Sequence, residues 1–167
     1  DIRATVTLAV AFGCPFEGPV ESTRALALAE RMAAGGADEI CFADTVGVGV
    51  PQQATELVSK AMSLSVPVGV HLHDTRNTGL ANAQAAFDAG ATIFDASVGG
   101  TGGCPFAPRA TGNIATEDLV YALHGSGYET GIEIEALGRC AEWLAEQLGK
   151  DLPGMVHRAG GFEPVAA

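Results

Sequence analysis

The chain repeats one unit, an apolar run followed by a polar loop and a helical stripe, and this repeat constrains the fold more than any other feature. The four apolar runs cover 5–11, 39–43, 66–72 and 92–98. After the first three runs, apolar residues recur three and four positions apart, which is the spacing of one helix face. Strand–loop–helix units in series predict a parallel sheet covered by helices. The first run, TVTLAVA, is typical of a strand buried on both faces.

Two architectures accommodate such units: an open, flavodoxin-like sheet and one half of a closed (β/α)8 barrel. A complete barrel needs eight units and about 250 residues, whereas this chain has 167 residues. The pattern alone leaves both architectures open. Beyond the fourth run, we predict a helix from about Thr116 and another along the apolar stripe 137–148. We divide the chain into one domain, 1–150, and a C-terminal tail, 151–167.

Composition and charge exclude several classes of partner. The chain is 47% hydrophobic and 17% charged, as is ordinary for a compact folded protein. Its net charge of -11 argues against binding to nucleic acid or to anionic membranes, because both need clustered Lys and Arg. No apolar stretch approaches the roughly 20 residues of a transmembrane helix.

The cysteines and the first residue bear on the cellular compartment. The four cysteines form no C-x-x-C pair and are interpreted as free thiols in a reducing compartment. The chain opens with Asp1 directly before an apolar run, so we interpret its N-terminus as a cut, which leaves an upstream targeting peptide open. We therefore expect a cytoplasmic, bacterial-type protein and leave a mitochondrial location open.

Polar or glycine-rich segments follow every predicted strand. They cover 12–16, 44–49, 71–75 and 99–113. In both candidate architectures the carboxyl ends of parallel strands meet on one face, where ligands bind. The distribution of these segments therefore predicts a functional site on that face.

His71 and His73 stand where the third apolar run ends. Residues two apart in a strand project to the same side, so we expect the two imidazoles to lie a few ångströms apart. Neutral imidazoles placed in this way could share one cation. A hydrogen-bonded histidine pair lining a polar opening is the alternative, and the residues alone favour neither.

Other candidate residues also carry two interpretations. Cys104 follows a segment with four glycines in five residues, which is either a mobile lid carrying a thiol or a flexible connector. Asp44 is either an acid at the site or a helix-capping aspartate. Arg76 and Arg109 could meet substrate phosphates or be solvated surface residues. The role of Asp95, within the fourth run, stays open.

The remaining cysteines and histidines are interpreted as structural. Cys41 lies within an apolar strand and Cys140 within an apolar helix stripe, where a free cysteine behaves as a small hydrophobic residue. Cys14 is also placed in this group. His124, on a helix, and His157, in the tail, complete it.

Four segments together resemble the 3-hydroxy-3-methylglutaryl-CoA (HMG-CoA) lyase family of metal-dependent barrel lyases. They are GCPFEG (13–18), ADTVGVGVP (43–51), HLHDT (71–75) and GGTGGCPFAPRATGNIATEDLVY (99–121). The glycine-rich Cys-Pro-aromatic loop followed by Gly-Asn and Ala-Thr-Glu-Asp is the specific part, since condensing relatives carry a Gly-Glu-Arg loop there. The resemblance implies the second half of a (β/α)8 TIM barrel, with about four βα units plus C-terminal helices.

The resemblance also implies roles for individual residues. His71 and His73 correspond to metal-binding histidines and Asn113 to an amide-oxygen ligand, with Mg²⁺ or Mn²⁺ as the expected cofactor. Cys104 corresponds to a catalytic lid cysteine. Asp44 corresponds to an acid near the substrate hydroxyl, and His71 is also placed to take part in proton transfer.

The implied reaction is cleavage of HMG-CoA to acetyl-CoA and acetoacetate, in leucine degradation and ketone-body formation. Thr45, Arg76 and Arg109 are the expected substrate contacts. Arg76-Asn77 replaces the Tyr-Gly of animal enzymes, which leaves the exact acyl group open. A related acyl-CoA lyase, or a condensing or carboxyl-transferring enzyme, is the alternative from the same superfamily. A non-catalytic half-barrel module is the alternative from another class.

The family's Arg-Asp-Gly segment on the first barrel strand has no counterpart in this chain. It would supply a further metal ligand and a substrate-binding arginine. We therefore expect the chain to be a fragment that is inactive alone, and expect the intact enzyme to be a homo-oligomer that binds acyl-CoA.

Overall fold

The computed structural model describes residues 2–103 and 111–162. Its strands and helices alternate along the chain as the sequence predicts. The strands are β1 (Thr5–Leu8), β2 (Gly13–Cys14), β3 (Gly18–Pro19), β4 (Glu39–Asp44), β5 (Val68–Leu72) and β6 (Ile93–Asp95). The helices are α1 (Ser22–Ala34), α2 (Pro51–Ala61), α3 (Gly79–Asp88), α4 (Thr116–Gly125), α5 (Ile134–Leu148) and α6 (Val156–Ala159).

The main sheet has four strands in the order β1-β4-β5-β6, and every neighbouring pair is parallel. Helices α1, α2 and α3 connect consecutive strands of this sheet. A doubly wound sheet reverses its strand order at a switch point, whereas these strands follow one another in chain order. The sequential order is that of a (β/α)8 barrel, so it favours the barrel over the flavodoxin-like alternative.

The centre of the sheet is buried and its first strand is not. Ile40 and Phe42 of β4 and Val68 and Val70 of β5 all belong to the buried core. In β1 the two threonines are exposed, and Val6 and Leu8 are only half-buried. The prediction that the first run is buried on both faces is therefore wrong, because β1 is an edge strand with one neighbour in the described residues.

The described residues form two compact units. Unit 1 comprises 2–95, 102–103 and 111–113 and contains the whole main sheet. Unit 2 comprises 96–101 and 114–162 and contains α4, α5 and α6, together with a 3₁₀ turn at Val98–Gly100.

Within unit 2, the buried carboxylate of Glu117 contacts two other segments of the chain. Glu117, in the first turn of α4, has one carboxylate oxygen accepting a hydrogen bond from the Gly99 N–H at 3.0 Å. Its other oxygen lies 3.1 Å from Nδ1 of His157. Leu152 is also buried. These contacts pack residues 152–157 within unit 2, while the division of the chain at residue 150 stays a prediction.

The predicted helices from Thr116 and along 137–148 are confirmed, although α5 already begins at Ile134. Two residues of the predicted stripe are placed differently, since Leu148 is exposed as well as Cys140. Cys140 is exposed, because the buried position on this turn of α5 is Ala141. None of the helices in the described residues combines the length and the apolar character needed to cross a membrane.

Candidate functional site

The two histidines lie together at the carboxyl end of β5, as their spacing predicts. Their ring centroids are 5.2 Å apart in an edge-to-face arrangement. His71 is the penultimate residue of β5 and is half-buried, whereas His73 follows the strand and is 4% exposed. The strand therefore brings two imidazoles into one small region with different access to solvent.

His71 contacts a carboxylate on the neighbouring strand. Its Nδ1 lies 2.5 Å from Oδ1 of Asp95, and the two residues are register partners between β5 and β6. The hydrogen bond with Asp95 raises the pKa of His71, and partial burial opposes this rise. The sequence leaves the role of Asp95 open, because the register of two strands cannot be deduced from either strand alone.

His73 has a contrasting environment. Burial and the neighbouring His71 lower its pKa, which favours the neutral imidazole that binds metals. Its Nδ1 is buried and has no hydrogen-bond partner among the described residues. A buried polar atom without a partner costs free energy unless a ligand or water satisfies it. This nitrogen therefore suits a bound cation.

Asn113 lies beside His73, and the two residues form an isolated antiparallel bridge. The bridge is extended by a hydrogen bond from the Asp74 N–H to the Gly112 carbonyl at 3.0 Å. A Cβ added to Gly102 would lie 2.6 Å from the amide nitrogen of Asn113, so the backbone approaches that side chain closely. The three predicted metal ligands thus come from two segments that pair next to each other.

The described residues contain no cluster of three or more His, Cys, Asp and Glu side chains suited to a metal. In the described part of the chain the two imidazoles lie close together, and the backbone of Asn113 pairs with that of His73. The resemblance to the family implies two imidazole nitrogens and one amide oxygen as donors. A set of nitrogen and oxygen donors suits Mg²⁺ or Mn²⁺ better than it suits structural zinc, because closed zinc sites favour nitrogen and sulfur donors.

Asp44 ends β4 and is almost fully buried, with 1% of its surface exposed. Its two carboxylate oxygens accept hydrogen bonds from the N–H groups of Val48 and Gly49 at 2.9 and 2.8 Å. Burial raises the pKa of Asp44, and these hydrogen bonds oppose the rise. The carboxylate therefore organises the loop before α2, and its catalytic role stays a prediction.

Thr45 also makes a contact within the loops. Its hydroxyl oxygen accepts a hydrogen bond from the Val10 N–H at 3.0 Å. Val10 has a φ of 56°, in a region that β-branched residues rarely adopt. The Thr45 hydroxyl thus helps to hold the strained turn after β1, and a contact with substrate stays a prediction.

Arg76 is exposed and also contacts the backbone of a neighbouring loop. Its Nη1 donates hydrogen bonds to the carbonyls of Val46 and Gly47 at 3.0 and 2.7 Å. Arg76 is thus exposed, as the interpretation as a solvated surface residue expects, and it also binds two loop carbonyls. Its predicted contact with substrate stays a prediction. Cys104 and Arg109, the remaining predicted site residues, lie outside the described residues.

Residues 2–144 match the HMGL-like family. The chain belongs to this family. It is 50% identical over 161 residues to an (R)-citramalyl-CoA lyase of Chloroflexus aurantiacus, which covers 95% of this chain and 51% of that protein. It is 42% identical over 149 residues to a hydroxymethylglutaryl-CoA lyase of Bacillus subtilis, which covers 87% of this chain and 50% of that protein.

The fold agrees with a solved structure of the same family. An HMG-CoA lyase from Acinetobacter baumannii in complex with coenzyme A and 3-methylmalate superimposes with a TM-score of 0.90 and 41% identity, covering 97% of this chain and 55% of that chain. The family resemblance and the partial TIM-barrel fold are thereby confirmed. The chain spans about half the length of the curated relatives it matches.

Proposed function

We propose that this chain forms part of a divalent-metal-dependent acyl-CoA lyase that cleaves HMG-CoA to acetyl-CoA and acetoacetate. The observation that carries the proposal is the pairing of His71 and His73 beside Asn113 at the carboxyl end of β5. Ligands bind at this end of the strands in barrel enzymes. Membership of the HMGL-like family supports the reaction class.

His71, His73 and Asn113 would hold the cation in this proposal. The buried Nδ1 of His73, which lacks a partner in the described residues, supports the fit. When bound, a divalent cation lowers the pKa of a coordinated hydroxyl and orients the substrate. The chain itself supplies neutral nitrogen at His73, where burial keeps the pKa low.

The bond cleavage requires one proton to leave and another to arrive. The tertiary hydroxyl of the substrate gives its proton to a base, the carbonyl of acetoacetate forms, and the electron pair of the broken carbon–carbon bond passes to acetyl-CoA. We propose Asp44 as the base, because burial raises its pKa toward the range in which a carboxylate can accept this proton. His71 is proposed as a ligand rather than as the base, because its Nδ1 faces Asp95 and its Nε2 would hold the cation.

Cys104 is proposed as the acid that returns a proton to the carbon of the departing acetyl-CoA enolate. It belongs to the glycine-rich segment GGTGGCPF. Glycines give such a segment the freedom to close over a site. Thr45 and Arg109 are proposed as substrate contacts.

Citramalyl-CoA is the second candidate substrate. The 50% identity to a citramalyl-CoA lyase extends over 95% of this chain, against 42% over 87% for the bacterial HMG-CoA lyase. The two thioesters share the tertiary hydroxyl and the methyl group and differ by one methylene before the free carboxylate. The same cleavage would then give pyruvate in place of acetoacetate.

The test is a product assay on the protein that carries this chain at its natural length. The metal-depleted protein is given each thioester, without and with Mg²⁺ or Mn²⁺, and acetyl-CoA, acetoacetate and pyruvate are quantified. We expect metal-dependent release of acetyl-CoA, with the ketone identifying the substrate. Release of no acetyl-CoA from either thioester in the presence of metal contradicts the proposal.

Two histidine variants provide the control. His73→Ala should lower kcat by at least about a hundredfold, because it removes a proposed ligand. His124→Ala should leave kcat unchanged, since that ring contacts Thr130 in unit 2. Equal losses in the two variants would show that activity follows folding rather than the proposed site.

The remaining biological assignments are proposals of the same kind. We propose that the intact enzyme is a cytoplasmic homo-oligomer that binds acyl-CoA. The coenzyme A complex of the Acinetobacter baumannii lyase supports the class of substrate. A role in leucine degradation depends on HMG-CoA being the substrate.

A further inference from the structure

The two site histidines are held differently by their neighbours. Asp95 approaches Nδ1 of His71 at 2.5 Å. No described residue forms a hydrogen bond with Nδ1 of His73. The ring centroids are 5.2 Å apart. In the described residues, the Nδ1 of His71 has a carboxylate partner and the Nδ1 of His73 has none.

The tie between His71 and Asp95 originates in the sheet. The two residues are Cα partners in the parallel pairing of β5 with β6. Side chains of register partners on one face of a sheet stand close enough to interact. The contact is therefore fixed by backbone pairing and does not depend on a loop conformation.

The contact contributes little to stability. The side chains of His71 and Asp95 are 27% and 59% exposed, so water screens their attraction. Its main physical effect is on geometry. An imidazole whose Nδ1 faces a carboxylate keeps its proton there, and only Nε2 is left as a lone-pair donor.

We propose that Asp95 is a positioning residue, which fixes the ring orientation and the tautomer of His71 so that Nε2 faces the site. This inference rests on the proposed function for the identity of the ligand at Nε2. The tautomer itself is a property of the two strands and can be measured without metal or substrate.

The first experiment reads the tautomer directly. Long-range ¹H–¹⁵N NMR spectra of the ¹⁵N-labelled 167-residue chain are recorded at about pH 8.5, above the ordinary titration range of histidine. The His71 signals are assigned by their loss in His71→Gln. We expect a proton on Nδ1 and none on Nε2 of His71.

Three variants separate positioning from loss of charge. Asp95→Ala should shift His71 toward the Nε2–H tautomer, because no acceptor remains at Nδ1. Asp95→Asn should keep the Nδ1–H tautomer, because its amide oxygen can accept the same hydrogen bond. Asp88→Ala makes the same truncation at an exposed position on α3 and should change nothing. An Nε2–H tautomer in the unaltered chain, or no shift in Asp95→Ala, overturns the proposal.

The second experiment measures Mn²⁺ affinity by electron paramagnetic resonance on the protein at its natural length. Removing a group that orients a metal ligand typically costs about 10- to 100-fold in affinity. We expect a loss of that size in Asp95→Ala and a smaller loss in Asp95→Asn. Unchanged Mn²⁺ affinity in Asp95→Ala overturns the positioning role. Absence of Mn²⁺ binding in the unaltered protein counts against the proposed function instead, and the NMR result then stands by itself.

Discussion

The surroundings of a cysteine decide whether its thiol reacts, and two cysteines of this chain differ sharply. Cys41 in β4 is 5% exposed, and burial, aided by the nearby Asp95 charge, raises its pKa to about 12. Cys140 on α5 is exposed. Because the thiolate is the reactive form, the buried thiol of Cys41 is unreactive at neutral pH, whereas the thiol of Cys140 is accessible to reagents.

We predict that a short pulse of iodoacetamide at neutral pH modifies Cys140 and leaves Cys41 unmodified. Raising the thiol pKa from 9.0 to about 12 lowers the thiolate fraction by about a thousandfold. Peptide mass spectrometry after timed labelling measures both rates. In concentrated urea the two cysteines should react alike, and comparable rates in the folded chain would contradict the prediction.

Arg76 provides a second prediction at the scale of one residue. Its guanidinium holds the carbonyls of Val46 and Gly47. Arg76→Met leaves both carbonyls without this donor and should lower the free energy of unfolding by about 1–3 kcal/mol. Arg31→Met, at an exposed position in the last turn of α1, is the matched control.

Urea denaturation measures the two variants, and the same proteins at natural length give KM for the acyl-CoA substrate. A large loss of stability with little change in KM assigns Arg76 to the loop. A stable Arg76→Met with a raised KM would instead support the substrate contact expected from sequence.

Single residues also show where sequence analysis is effective. The closeness of His71 and His73 follows from the two-residue period of a strand, and the structure has it. The contact of His71 with Asp95 depends on the register between β5 and β6, and the contact of Arg76 with Gly47 spans 29 positions. Neither is encoded in a local pattern, so both emerge only in three dimensions.

The loops after β4 and β5 meet at a glycine. Gly47 has a φ of 62°, and a Cβ added there would lie 2.7 Å from the side chain of Thr75. Gly36, which follows α1, has a φ of 97° with open space around its position. Both positions strain any other residue, and only Gly47 adds a steric clash.

We predict that Gly47→Ala lowers the free energy of unfolding by about 1–3 kcal/mol more than Gly36→Ala does. Both variants carry the roughly 1–2 kcal/mol cost of a left-handed backbone, so their difference isolates the clash with Thr75. Chemical denaturation of the two variants gives that difference. Equal losses would mean that the Thr75 side chain moves aside freely.

The periodicity of the sequence predicts which helices and strands are present better than it predicts the residues at which they end. The helices and the central strands lie where the apolar spacing places them, because that spacing reflects which face is buried. The first run is predicted over 5–11, yet β1 ends at Leu8, and Val10 adopts a positive φ shortly after. The antiparallel pair β2 and β3 has two residues per strand, too few to show any period.

For the whole molecule, the repeat predicts parallel βα units but does not distinguish a closed barrel from an open sheet. The sequential strand order distinguishes them, since it contains no switch point. Strand order depends on which edges pair, and this is again absent from local pattern. The resemblance to the family predicts the barrel, because the motifs of the family occur in a fixed order along the chain.

The sheet and the overall charge act in opposite directions on association between chains. In the described residues β1 lies at the edge of the sheet with its threonines exposed, which makes it a template for pairing with another chain. The net charge of -11 at pH 7 keeps chains apart by mutual repulsion. Salt screens that repulsion beyond the Debye length, which is about 10 Å at 0.1 M salt and becomes shorter as the salt concentration rises.

We predict that the 167-residue chain is monomeric at low ionic strength and associates as NaCl is raised toward about 1 M. Sedimentation velocity at a fixed protein concentration measures the change. Thr7→Lys places a charge on the edge strand and should suppress the association. Gln147→Lys adds the same charge at an exposed position on α5, in unit 2, and should leave the association in place. If both variants suppress association equally, net charge alone governs it and β1 is not the contact. If neither does, the contact lies elsewhere, because a lysine on an edge strand opposes the pairing of two such strands.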